Sequence, residues 1–320
     1  MAEAAGVASM GVFLQPLEAT RAFPPPLLTT RSLGSWGNVA AARVFRVLGQ
    51  LPFARPTAAF RRSLGLPPLG TVALFRRLER DRWPILYGIS PSVVPVPEDW
   101  PAYRPMTGYW WPLVTGAARS ALVESTPPDR SAGASPDRST GVSGELSAVG
   151  VAGLSGRLRR FLDEGEPPVF VGFGSMTAPG LSEHVGEFLA RLGRRVVVQR
   201  GAAGLSAEGA DVLVVDDEPH GPLFPRVAVV VHHGGAGTTA ATLRAGVPSV
   251  CVPFTADQPF WAKRLVALGA APPPVPLKKL TPSVIAAAEA CRPAAEAVSR
   301  RLAREDGLSD AVARIEQLLS

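Results

Sequence analysis

Cysteine is almost absent from this chain: Cys251 and Cys291 are the only two in 320 residues. Two thiols build no disulfide framework, so a packed core must hold the fold, and such low usage fits a reducing cytoplasm. Both read as small buried hydrophobes. Lysine is scarce as well, with 3 lysines beside 30 arginines; against 27 acids the net charge is +6. The arginines are scattered over separate elements (Arg76-Arg77, Arg159-Arg160, Arg194-Arg195, Arg300-Arg301) and carry no interleaved aromatics, which argues against nucleic acid as a partner. Arginine in place of lysine, with abundant Ala, Gly and Pro, matches the codon bias of a GC-rich genome. No run of about 18 uncharged apolar residues occurs, so no membrane-spanning helix is expected. Met1 to Gly6 lacks the basic start and apolar block of a signal peptide. His232 and His233 lack the spacing of metal ligands and have no partnering Cys or carboxylate cluster, so no zinc or iron site is expected. What remains, 46% hydrophobic and 19% charged, is a globular composition.

Three parts follow from the pattern along the chain. Residues 1–115 form a Pro- and Trp-rich unit whose first residues, Met1 to Ala5, read as the tail of a helix. A strand is expected over Val7–Gln15. Residues 116–156 turn to Ser, Gly, Pro, Asp and Thr, with Pro-Asp-Arg-Ser at 128–131 and again at 136–139. That composition predicts a linker. From 157 to 320 apolar strands alternate with helical stretches: strands over 168–173, 195–199, 212–215, 227–231 and 249–253, helices over 158–162 and 182–192, and a closing amphipathic helix through Leu308, Val312, Ile315 and Leu319. Alternation of this kind means a doubly wound parallel sheet.

The chemistry concentrates where strands end. Val229-Val230-Val231-His232 runs into His233-Gly234-Gly235-Ala236-Gly237-Thr238-Thr239, a glycine turn that opens a helix. Free backbone N–H groups and the helix dipole favour an anion there, and bare glycines let a phosphate approach the main chain. Two other loops leave strand ends with suggestive residues, Gly172-Phe173-Gly174-Ser175-Met176 and Asp216-Asp217-Glu218-Pro219-His220. Asp257-Gln258 follows a fourth strand. A single glycine loop is weak support for a ligand site; three on one sheet are harder to explain as packing alone.

In this order the motifs (with Arg244-Ala245-Gly246-Val247-Pro248 between the glycine turn and Asp257-Gln258) resemble the nucleotide-sugar half of glycosyltransferase family 1. The resemblance is to the sterol glucosyltransferases and actinobacterial antibiotic glycosyltransferases. It is strong over residues 167–285 and weaker at Leu14-Gln15-Pro16, Leu64 to Pro68, Tyr87 to Pro91 and Tyr103 to Trp110. It implies an α/β GT-B fold: two Rossmann-like domains facing a cleft, the N-terminal acceptor domain (1–115) incomplete and the donor domain at 157–320. By that resemblance His232 hydrogen-bonds the donor diphosphate, and Gly234, Gly235, Ala236, Gly237 and Thr238 surround it with backbone and hydroxyl donors. Gly174 and Ser175 close the phosphate site from the opposite loop. Asp257 and Gln258 bind sugar hydroxyls, and the loop ending in His220 lies along the base and ribose.

Bland readings compete. Of two adjacent histidines one should face the cleft and the other the core; His232 is assigned to the cleft, His233 to the core. His184 reads as solvated, Asp216-Asp217-Glu218 as a solvated loop. Asp257 is either a cap of the helix that follows or a sugar ligand. The catalytic base is unassigned, because the family's base segment, resembling Gly-Ser-Arg-Gly-Asp-Val-Gln-Pro, has no counterpart here. Relative to the family the chain is expected to begin inside the acceptor domain, either from an internal methionine or as a shortened homologue.

The resulting expectation is an inverting, metal-independent enzyme without a cofactor, using a UDP-sugar as co-substrate. It moves a hexose, glucose first, to a hydroxyl of a lipophilic acceptor (sterol, terpenoid or polyketide). Thymidine in place of uridine stays open. The rivals are a non-catalytic nucleotide-sugar-binding remnant and an N-acetylglucosaminyl transferase acting on a lipid-linked acceptor. The expected location is cytoplasmic, with peripheral membrane attachment as the alternative and no integral membrane segment.

Overall fold

A computed structural model describes residues 1–111 and 153–319, so the expected linker at 116–156 lies almost wholly outside the described residues. The fold is mixed α/β, with two parallel sheets. The smaller pairs β1 (Gly11–Phe13) with β2 (Ile85–Tyr87), Gly11 opposite Ile85 and Phe13 opposite Tyr87. Between them lie helices Gly34–Leu48, Ala54–Ser63 and Thr71–Arg80. Of the strand expected over Val7–Gln15 only the central three residues pair.

The larger sheet holds five strands: β3 (Val169–Val171), β4 (Val196–Gln199), β5 (Val212–Val215), β6 (Val229–His232) and β7 (Ser249–Cys251). Their spatial order is β5-β4-β3-β6-β7. Valine runs suit strands covered on both faces, where β-branched side chains pack well on the pleat. One apolar layer gathers Val169, Val171, Val196, Val198, Val229 and Val231 against helix Leu181–Leu192. The other gathers Phe170, Val197, Leu213 and Val230 with Leu158, Leu162 and Phe224. Burial of each such side chain stabilises by about 1.5–3 kcal/mol.

Strand order decides where a ligand can sit. From β3 the chain moves outward to β4 and β5, then returns across β3 to place β6 on its other side. The loops leaving β3 and β6 therefore part in opposite directions and leave a crevice at the carboxyl ends of those two strands.

A third apolar cluster joins the smaller sheet to the larger unit. It combines Ile85, Tyr87, Ile89, Val93 and Trp100 with Leu243, Trp261, Leu265, Val298 and Leu302. Polar bonds reinforce it: Ser90 Oγ donates to Glu305 Oε1 at 2.8 Å, Arg264 Nε to Val93 O at 2.9 Å, and Lys263 Nζ to Thr30 O at 2.8 Å. Helix Gly307–Leu319, expected from its apolar spacing, starts against this seam.

Candidate nucleotide site

The crevice between β3 and β6 is lined by backbone. Helix Ala236–Ala245 begins there, with Gly235 as its N-cap and no side chain capping it. Its first turn has no upstream carbonyls to bond, so the N–H groups of Gly235 to Thr238 are left open to a ligand. Gly235, Ala236 and Thr238 are half-buried and Gly237 is exposed. The far end of the helix is closed by Gly246 at φ 68, whose N–H returns to Leu243 O.

The two histidines take the reverse of their expected places. His232 is fully enclosed, Nδ1 accepts the Gly234 N–H at 3.1 Å, and Nε2 lies 3.8 Å from Cys251 Sγ. No face of that ring is left for a diphosphate, so its assignment to the cleft is corrected. Its place beside the open turn belongs to His233. That ring is half-buried, and its Nδ1 is enclosed without a hydrogen-bond partner. A methyl group on Gly174 would stand 3.9 Å from His233 Cε1, and one on Gly235 only 2.5 Å from Nε2. His233 thus sits between the loops after β3 and β6. Burial lowers its pKa and the Asp257 charge opposes the shift, which favours a neutral ring at neutral pH.

Gly234 is corrected too. Its N–H is spent on His232, and its left-handed φ of 85 turns the chain tightly past Gln258 O, 3.0 Å from where a Cβ would lie. The open amides begin at Gly235.

The Asp257–Gln258 pair is engaged from behind. Asp257 Oδ2 accepts from Trp261 Nε1 at 2.6 Å and from Gln15 Nε2 at 2.8 Å. It stands at the N-cap of helix Gln258–Ala267 without a side-chain cap bond, so the capping alternative is not what its carboxylate does. Gln258 Oε1 accepts the N–H groups of Phe254 and Thr255 at 2.7 and 3.1 Å, and its Nε2 faces Met176 Sδ at 3.3 Å. Its oxygen therefore serves the loop and is not free for a sugar hydroxyl, as the sequence reading had it. That loop carries Ala256 at φ 56, a conformation costing an alanine about 1–2 kcal/mol, which the Gln258 bonds help to hold.

Beyond Ser175 the crevice opens into a cavity of about 390 Å³, lined by Gly174, Ser175, Gln199, Arg200, Gly201, Asp216 and Asp217. Ser175 is exposed. Arg200 Nε pairs with Asp216 Oδ1 at 2.9 Å, and Gln199 Nε2 donates to Asp217 Oδ1 at 3.3 Å. His220 is not in that wall: it stacks on Phe224, centroids 4.3 Å apart, and meets Phe170 edge-on. Burial lowers its pKa, against the Asp217 charge. No group of three or more His, Cys, Asp or Glu able to hold a metal occurs among the described residues.

Sequence reasoning missed Gln15, which crosses from the small sheet to Asp257, and Gly201. At φ 55, a Cβ on Gly201 would lie 2.5 Å from Gly174 O. Gly201→Val should therefore displace the Gly174–Ser175 loop and weaken nucleoside diphosphate affinity by about tenfold, through 1–3 kcal/mol of overpacking, measurable by calorimetry.

Residues 185–314, which include the glycine turn and Asp257, match the family described as erythromycin biosynthesis protein CIII-like, C-terminal domain. Over those residues the chain is similar to that domain. Over 269 residues it is 37% identical to the O-mycaminosyltylonolide 6-deoxyallosyltransferase of Streptomyces fradiae, covering 81% of this chain and 55% of that protein. A sterol 3-beta-glucosyltransferase of Arabidopsis thaliana is 30% identical over 289 residues, 88% of this chain and 41% of its own length. The chain thus spans about half the length of these relatives. Among solved structures, the glycotransferase of kitacinnamycin, a GT-B glycosyltransferase, superposes with a TM-score of 0.63 at 19% identity, over 99% of this chain and 72% of that one. That likeness bears on the fold alone, and it agrees with the expected GT-B architecture. No helix of the described residues is long and apolar enough to cross a membrane.

Burial pushes the His232 pKa down to about 3 from 6.5, so the unfolded chain binds the extra proton between those values. The stability tied to its neutral ring is complete above about pH 6.5 and is lost as pH falls toward 3. His232→Asn should flatten the dependence of the urea midpoint on pH across that window.

Proposed function

We propose that the chain is a glycosyltransferase that binds a nucleoside-diphosphate sugar in the β3/β6 crevice. One observation carries this reading: open amides at Gly235–Thr238 and the unpartnered imidazole of His233 meet the Gly174–Ser175 loop where the strand order reverses. The relatives' names, a deoxyallosyltransferase and a sterol glucosyltransferase, support sugar transfer to a hydroxylated, lipophilic acceptor. In this reading the diphosphate lies at the helix start, with Ser175 on its other side. Charge that builds on the β-phosphate as the glycosidic bond breaks is stabilised by donors already in place, with no metal required. Nucleoside fits the cavity walled by Arg200, Asp216 and Asp217, whose carboxylates suit ribose hydroxyls. Asp257 presents its remaining oxygen to the sugar. Attack by the acceptor hydroxyl at the anomeric carbon, opposite the leaving diphosphate, inverts that centre. UDP-glucose is the proposed donor.

Calorimetry with UDP, TDP, UDP-glucose and UDP-N-acetylglucosamine tests binding, and release of UDP in the presence of sterol and polyketide alcohols tests transfer. Micromolar binding of UDP-glucose with acceptor-dependent release supports the proposal. Binding without release under any acceptor favours the non-catalytic reading, preference for UDP-N-acetylglucosamine moves the donor, and absence of binding at millimolar concentration contradicts the assignment.

A further inference from the structure

β6 ends in His232 and His233 follows it, and only His233 faces the crevice. The inner one, His232, makes a bond that no packing requirement explains. Its Nδ1 accepts from the Gly234 N–H at 3.1 Å, so the ring proton resides on Nε2, which points at Cys251 Sγ 3.8 Å away on β7. The strand register fixes this, since His232 and Cys251 are paired residues of β6 and β7. Gly234 is buried between this ring and the main chain of Gln258, and its N–H has no other acceptor.

We propose that His232 is a positioning residue: through the Gly234 N–H it sets the turn that carries His233 and the open amides of Gly235–Thr238 into the crevice. The role rests on reading that crevice as the diphosphate site. A buried N–H that loses its acceptor costs about 1–3 kcal/mol, enough to rotate the peptide toward water. Rotation at Gly234 moves both neighbours, His233 on one side and Gly235 on the other. Burial keeps the ring neutral down to about pH 3, so the acceptor nitrogen remains available at any pH suited to assay.

Amide isosteres separate this role from simple space-filling. In His232→Asn the side-chain oxygen stands near the position of Nδ1 and can take the Gly234 N–H. In His232→Gln it reaches toward Nε2 and Cys251 instead, while His232→Leu fills volume with no acceptor. Two readouts are paired on each full-length variant: hydrogen exchange of the Gly234 amide, and calorimetric affinity for UDP. We expect His232→Asn to keep that amide slow and UDP affinity within about threefold of the parent, and the Gln and Leu variants to exchange it fast and lose about tenfold or more. A Leu variant with a slow amide and parental affinity overturns the proposal. If Gln and Leu fail to fold, a folded Asn variant with a fast Gly234 amide overturns it alone. Failure of the parent chain to bind UDP contradicts the diphosphate site, while the exchange of Gly234 in Asn against Gln still decides what His232 does.

Discussion

Replacing His233 with alanine should weaken UDP binding by about tenfold to a hundredfold, the cost of one hydrogen bond to a charged oxygen in a half-buried site. The ring is half-buried at the crevice: its Nδ1 is enclosed, and Nε2, beside Gly235, is the nitrogen left to meet a ligand. Gly235→Ala should reproduce much of the loss without touching the ring's chemistry, because its Cβ would lie 2.5 Å from His233 Nε2 and push the ring aside. His232→Ala removes an internal acceptor instead and should also lower thermal stability, which His233→Ala should leave close to the parent. Calorimetry and thermal unfolding on the same preparations separate the two histidines.

The largest effect on stability is expected far from the crevice, at Gly307. A Cβ there would come within 2.6 Å of Tyr109 O, 2.7 Å of Gly108 C and 2.8 Å of Thr107 O. All three are main-chain atoms and cannot swing away as a side-chain tip can. Gly108 is at φ 91, and a Cβ on it would stand 3.1 Å from Gly307 Cα, so both sides of the contact call for glycine. Gly307→Ala should cost about 2–3 kcal/mol, seen as a lower urea midpoint, by lifting the start of helix Gly307–Leu319 from the 107–109 segment. The neighbouring bond of Ser90 to Glu305 should fail with it. A matched control is Gly186, in the middle of helix Leu181–Leu192 with open space where a Cβ would lie. Alanine there should stabilise by about 0.5–1 kcal/mol.

The larger sheet was legible because its strands are nearly pure valine: Val196 to Val198 and Val212 to Val215 allow no other element between glycine and charged loops. The same uniformity hid the site's orientation. β6 is buried on both faces from Val229 to His232, so no polar–apolar alternation says which of two adjacent histidines turns inward. Parity along the strand does not decide it either, because the face of Val229 and Val231 is as buried as that of Val230. His232 falls on the face of Val230, which packs with Phe170 and Leu213 under Ala241 and Ala245 of the following helix. Gln258 escaped for another reason: an amide next to a carboxylate looks like a polyol ligand, and only the fold shows Ala256 in a left-handed turn that needs its oxygen. Gly201 carries no local pattern, and Gln15 stands only in the weak resemblance at Leu14-Gln15-Pro16, which says nothing of its contact. Their roles come from contacts with Asp257 and Gly174, distant in the chain and set by the meeting of separate elements.

The central claim is that the diphosphate is held at the start of helix Ala236–Ala245, and amide chemical shifts during a UDP titration report on it most directly. The account predicts that the largest shifts fall on Gly235, Ala236, Gly237 and Thr238, with Ser175 next and the imidazole of His233 following. Saturable shifts confined to other surfaces, with those four amides unmoved, would contradict it.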